Sequence, residues 1–164
     1  MSTTERKELL AFRLRRSDAA AVVLLPAFLG RVHWFLTEFE PTTNIPAVLD
    51  SIWRDFGTGN GDWLLLAFVV EGEGVKGHLL AGTVQYYTAP IALVYQWEHD
   101  KDVGYAWPAA LAADQILIDW AEARGCGQIV CYPNTKSRAR LFRRAGYVQH
   151  EGRMTKGLIR GTNG

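Results

Sequence analysis

Apolar and polar residues alternate at two different periods along this chain, and the changes of period mark out its elements. Leu10, Phe12 and Leu14 alternate with Ala11, Arg13 and Arg15, so residues 9–16 are expected to form a strand. Ser17-Asp18 then supplies a helix N-cap, and a helix is expected over 19–39, with Pro26 inside it as a point of kinking or splitting. Pro41 to Asn44 interrupts the chain. Residues 45–56 place Val48, Leu49, Ile52, Trp53 and Phe56 on one helical face. Gly57 to Asp62 is a cluster of turn formers.

From Trp63 onward the period shortens. Trp63 to Glu71 is a continuous apolar run, and residues 78–87 and 91–97 read as two further strands. The connections between them are short, which predicts an antiparallel meander. Residues 114–124 form an amphipathic helix with Ile116, Leu117, Trp120 and Ala121 on one face, closed by Gly125 and Gly127. A short buried strand at 128–132, a helix at 135–145 and a final strand at 147–158 complete the pattern. The expected order is β-αα-βββ-α-β-α-β, an α+β fold in which a mixed central sheet is flanked by helices as an α/β sandwich.

The 164 residues suit one domain, with its core at about 9–158. Apolar residues make up 48% and charged ones 21%, so disorder is not expected. A net charge of +1 produces no global field toward nucleic acid or membrane. The two cysteines, Cys126 and Cys131, indicate no disulfide framework, and the isolated His33, His78 and His150 give no metal-ligand spacing. The longest candidate apolar run, Trp63 to Val70, is strand-sized, and the charged N-terminal stretch has no signal-peptide core. A cytoplasmic protein without membrane attachment is therefore expected.

The element order resembles the GNAT fold of acyl-CoA-dependent N-acyltransferases. Trp120 to Val130 is similar to the family's central helix running into its fifth strand. Thr135 to Tyr147 is similar to the next helix, with Leu141-Phe142 and Gly146-Tyr147 in characteristic places, and Arg153 to Leu158 is similar to the last strand. The resemblance implies acetyl-CoA or another acyl-CoA as cosubstrate and an amine acceptor, small or macromolecular. In this family the fourth and fifth strands splay apart. The pantetheine arm lies between them on strand backbone, which here implies Tyr95, Gln96 and Trp97, while pyrophosphate sits on amides at the start of the central helix.

The family's phosphate signature is matched by Lys101, Gly104, Tyr105 and Ala106 within Lys101 to Ala106. If Gly104 is that turn, the helix after it is about one turn longer than usual and Pro108 falls in its first turn. Asn134 and Arg138 are implied on the cosubstrate side. Lys136, Arg138, Arg140, Arg143 and Arg144 crowd the last helix, as a phosphate grip or as a solvated face. Phe142 stands where many members carry a proton-donating Tyr and cannot donate; Tyr132 or Tyr147 is the substitute, with Tyr132 preferred. Glu98 is the candidate base, since on an alternating strand either Glu98 or His99 faces the cleft, not both.

Two other readings share this fold. Phage DNA-modification proteins of the Mom family look like GNAT domains with eroded cofactor loops, which would make nucleic acid the partner. A non-catalytic GNAT-like phage accessory or virion protein would instead dock a partner through Trp34, Phe35, Phe39, Trp53 and Phe56. Dimers through the C-terminal strands are common in the family, so a homodimer is a further expectation.

Overall fold

The computed structural model describes residues 7–101 and 106–158. Eleven elements follow in chain order: β1 (Leu9–Arg13), α1 (Ala19–Phe39), α2 (Ile45–Thr58), β2 (Trp63–Val70), β3 (Gly74–Tyr86), β4 (Ala89–His99), α3 (Trp107–Ala123), β5 (Gln128–Cys131), α4 (Lys136–Arg144), β6 (Val148–His150) and β7 (Arg153–Gly157). The strands form one sheet in the order β1-β2-β3-β4-β5-β7-β6. Every neighbouring pair is antiparallel except β4–β5, which is parallel.

Burial on both faces of the sheet explains why β2 is apolar throughout. Leu64, Leu66 and Phe68 point to a core that includes Ala113, Leu117 and Trp120 of α3 and Phe142 of α4. Leu65 and Ala67 point to the opposite core, built with Leu25, Phe28, Val32 and Leu36 of α1 and Ile52 of α2. The α1 face against the sheet repeats every three or four residues, as helix geometry requires. Asp18 caps α1 by accepting from the Ala20 amide, and Asn44 caps α2 through the Ala47 amide.

Several expectations are corrected. Pro26 lies inside one uninterrupted helix. By length and composition alone α1 reaches the membrane-spanning range, which a search for unbroken apolar runs missed because Arg31 and His33 interrupt it. Trp53 is exposed, whereas its neighbour Asp55 is buried because its two carboxylate oxygens accept from the Asp62 and Trp63 amides. The central helix begins at Trp107, seven residues before its expected start, with Pro108 in its first turn. The single expected strand at 147–158 is a hairpin, β6 and β7, turned by Glu151 and Gly152, both at positive φ.

Candidate functional site

The site forms where β4 outruns its partners. β4 and β5 pair at Ala92–Ile129, Leu93–Val130 and Val94–Cys131, and there the pairing stops. From Tyr95 to His99, β4 keeps β3 on one side and has no strand on the other among the described residues. At the point of parting, Leu80 pairs with Gln96 and Ala81 with Val94, so Tyr95 is the extra residue of a bulge. The bulge shifts the alternation. Val94 and Trp97 both face the α3/α4 core, and Gln96 faces α1.

Each side chain beyond the bulge is held by a different element. Trp97 is wedged between Phe68 and Phe142, with ring centroids 6.4 and 5.2 Å away. Gln96 accepts through Oε1 from His78 Nε2 at 2.7 Å, and Arg31 Nε donates to His78 Nδ1 at 3.3 Å. An arginine only donates, so the network assigns the neutral Nε2–H tautomer to His78. Burial pushes His78 down from 6.5 to about 4, with the Gln96 bond opposing and the Arg31 and Arg138 charges adding to the fall. Arg31 also pairs with Asp100 at 2.9 Å, tying α1 to the end of β4.

A clasp spans the parting. Asn134 Nδ2 donates to Glu98 Oε1 at 2.9 Å, and Arg138 Nη2 lies 3.5 Å from Glu98 Oε2. The Arg138 side chain is 10% exposed and that of Glu98 19%, so a charge from α4 crosses to β4 through the gap. Burial lowers the Arg138 guanidinium below its usual value, with Glu98 opposing. The gap that remains measures 20 Å³, room for no more than a water, and is lined by Phe35, Gln96, Glu98, Tyr132, Asn134 and Arg138 among others.

Most residues expected in the site converge here. Tyr95, Gln96, Trp97, Glu98, Tyr132, Asn134 and Arg138 line one gap. Tyr132 is largely exposed at its mouth. Tyr147, the alternative phenol, is turned away: its buried hydroxyl donates to Asp114 Oδ1 at 2.7 Å, and Lys156 Nζ donates to the other Asp114 oxygen at 2.7 Å. Burial and the Asp114 charge hold the Tyr147 phenol far above its ordinary value. Cys131 ends β5 beneath the gap, its thiol pushed up to about 12 by burial and by Asp114.

Ala106 is the N-cap of α3 and has no side-chain capping bond, so the first amides of α3 are not occupied by their own cap residue. Gly104 and Tyr105 lie outside the described residues, and Lys101 is exposed at the end of β4. The basic helix α4 is not one solvated stripe. Arg138 is buried in the clasp, Arg144 stacks 4.0 Å over Trp107, and Arg143 donates to Gln149. Sequence reasoning missed His78 and Arg31, whose partners lie on elements far away in the chain.

No family model and no curated sequence matches the chain. Solved structures do match. The ribosomal-protein-S5-alanine acetyltransferase from Vibrio fischeri is 14% identical, with a TM-score of 0.62 over 97% of this chain and 98% of that one. A GNAT-family acetyltransferase from Staphylococcus aureus is 10% identical, with a TM-score of 0.62 over 92% and 99%. NAA60 from Arabidopsis thaliana, solved with a bisubstrate analogue, is 12% identical, with a TM-score of 0.60 over 93% and 99%. Each likeness extends along nearly the whole of both chains, so the seven-stranded mixed sheet flanked by four helices described above is similar in fold to the GNAT acetyltransferases.

Proposed function

We propose that this protein is an N-acyltransferase that moves an acetyl or other acyl group from acyl-CoA to an amine. The observation that carries the reading is the parting of β4 and β5 after Val94 and Cys131. It leaves strand backbone from Tyr95 onward for an amide-bearing arm to pair with, and the N-cap of α3, Ala106, makes no side-chain capping bond to the first amides of that helix. The cosubstrate supplies an acyl thioester. The residues present fit it once the clasp moves, because Asn134 and Arg138 now fill the space an arm would take.

In this reading the chain contributes position and proton transfer. The amine nitrogen bonds to the acyl carbon as the carbon–sulfur bond breaks. Glu98 accepts the proton that the amine loses, and Tyr132 gives a proton to the leaving sulfur. Asn134 and Arg138 occupy both carboxylate oxygens of Glu98 while the clasp is closed, and they free those oxygens when they leave. Opening the clasp therefore couples cosubstrate entry to release of the base from its partners. Lys101, Gly104, Tyr105 and Ala106 are the proposed pyrophosphate contacts.

Calorimetry with acetyl-CoA tests the reading, followed by turnover with a panel of amines. Saturable binding at micromolar to millimolar ligand is expected. No heat at millimolar acetyl-CoA and CoA would sink it. One observation favours a second, non-catalytic reading: the same clasp, if it never opens, is a permanent tie between α4 and β4. The same titration separates the two.

A further inference from the structure

A second cavity lies at the opposite end of the sheet from the clasp. It measures 810 Å³ and is bordered by the end of β1, the turn after α2, the start of β2 and the last turn of α3. That volume is within the usual range for small-ligand sites, about 300–1,000 Å³. The cavity and the clasp gap share no lining residue.

Four arginines line this cavity: Arg13, Arg15, Arg16 and Arg124. Two have structural work. Arg16 Nη1 donates to the Gly57 carbonyl at 2.6 Å, and Arg124 donates to the Asn60 carbonyl and pairs with Asp62 at 2.9 Å. These contacts serve the carbonyl-rich end of α2. The remaining two have no carboxylate partner among the described residues. Of the two acids that line the cavity, Asp55 has both oxygens on backbone amides, and Asp119 accepts from Gln115.

Arg13 is the revealing member. It is partly buried, and its guanidinium converges with that of Arg124 above Gly61: a methyl placed on Gly61 would lie 3.8 Å from one and 3.2 Å from the other. Burial lowers its affinity for the proton, and the charges of Arg15 and Arg124 lower it further. Asp62 neutralises Arg124, which leaves the Arg13 charge in a concave, partly desolvated place with no anion of its own among the described residues. The Arg13 fork, with the unpaired Arg15 lining the same cavity, suits a multivalent oxyanion. Phe56, Trp63 and the largely buried Trp120 add aromatic lining to the same cavity.

We infer that the cavity between β1, α2 and the C-terminal end of α3 is a second ligand site, for a small phosphorylated molecule with a planar group, in the class of a nucleoside diphosphate. Arg13 and Arg15 hold the phosphates, and the aromatic lining receives the ring. The inference does not depend on acyl transfer at the clasp.

The test is calorimetric titration of the full chain with UDP, at two salt concentrations, with and without saturating acetyl-CoA. One saturable site is expected, unaffected by acetyl-CoA and weakened by salt. Arg15→Gln and Arg13→Gln, checked for folding by circular dichroism, should each weaken binding about tenfold or more, the loss expected for a charge-assisted phosphate contact. Arg15 is exposed, so its variant keeps the test valid if the Arg13 variant misfolds. Three results would overturn the inference: no heat with millimolar UDP, unchanged affinity in both variants, or displacement of UDP by acetyl-CoA. Binding of a single-stranded oligonucleotide but not of UDP would overturn it too, in favour of a nucleic-acid surface.

Discussion

Replacing Glu98 by Gln should tighten acetyl-CoA binding and slow turnover in the same protein. The substitution keeps an oxygen for Asn134 Nδ2 but removes the charge that Arg138 faces at 3.5 Å. Coulomb attraction at that distance is about 5 kcal/mol with an effective dielectric constant near 20. Desolvation of two groups that are mostly buried offsets most of it, and 3.5 Å is long for a hydrogen bond, so the clasp is worth about 1–1.4 kcal/mol net. If the gap must open before acetyl-CoA enters, loosening the clasp raises the open fraction and tightens apparent affinity by about five- to tenfold. Loss of the base should lower kcat by about 100-fold or more. Calorimetry gives the first quantity, steady-state kinetics the second, and a thermal melt checks that the fold persists. Unchanged or weaker acetyl-CoA binding in a folded Glu98→Gln protein would refute the gating argument.

Two further predictions concern the scaffold behind the gap. His78 is held neutral, falling from 6.5 to about 4, so the unfolded chain binds its proton first. Stability should be flat above about pH 6.5 and fall by about 3 kcal/mol as pH drops toward 4. Urea denaturation at several pH values measures this, and His78→Gln should flatten that part of the curve. Gly77→Ala would place a methyl 2.6 Å from the Glu98 carbonyl oxygen and 2.9 Å from His99 Cα, both backbone atoms that cannot step aside. It should cost about 2–3 kcal/mol and lower the melting temperature by about 5–10 °C, which differential scanning calorimetry will show.

Strands β1, β2 and β5 were legible in the sequence because they are short, largely apolar runs bounded by turn or cap residues. β2 needed only its run of Leu, Ala, Phe and Val. The first half of α3 was not legible. Its buried positions are Ala109, Ala110 and Ala113, too small to mark a face, and Pro108 reads as a break until it is placed in a first turn. The β6–β7 turn was missed because Glu151 occupies a left-handed position where turn chemistry leads one to look for Gly or Asn. At the site, the resemblance named the strand and helix that meet, but not that Glu98, Asn134 and Arg138 would bind one another. That closure depends on the bulge at Tyr95, a register shift that no local pattern announces. The arginine cavity was equally hidden, since Arg13 and Arg124 come together only through the packing of α3 beside β1.

Both native cysteines are shut away from reagents. Cys126 and Cys131 are each about 1% exposed, and with Cys131 near 12 only about one thiol in 10⁵ is ionised at neutral pH. A single thiol introduced on the solvent side of α4, for instance Lys136→Cys, would therefore be the one position that a maleimide dye reaches in the folded protein. Fluorescence from that dye could follow α4 in real time as ligand enters the gap, with no need to strip the natural thiols first.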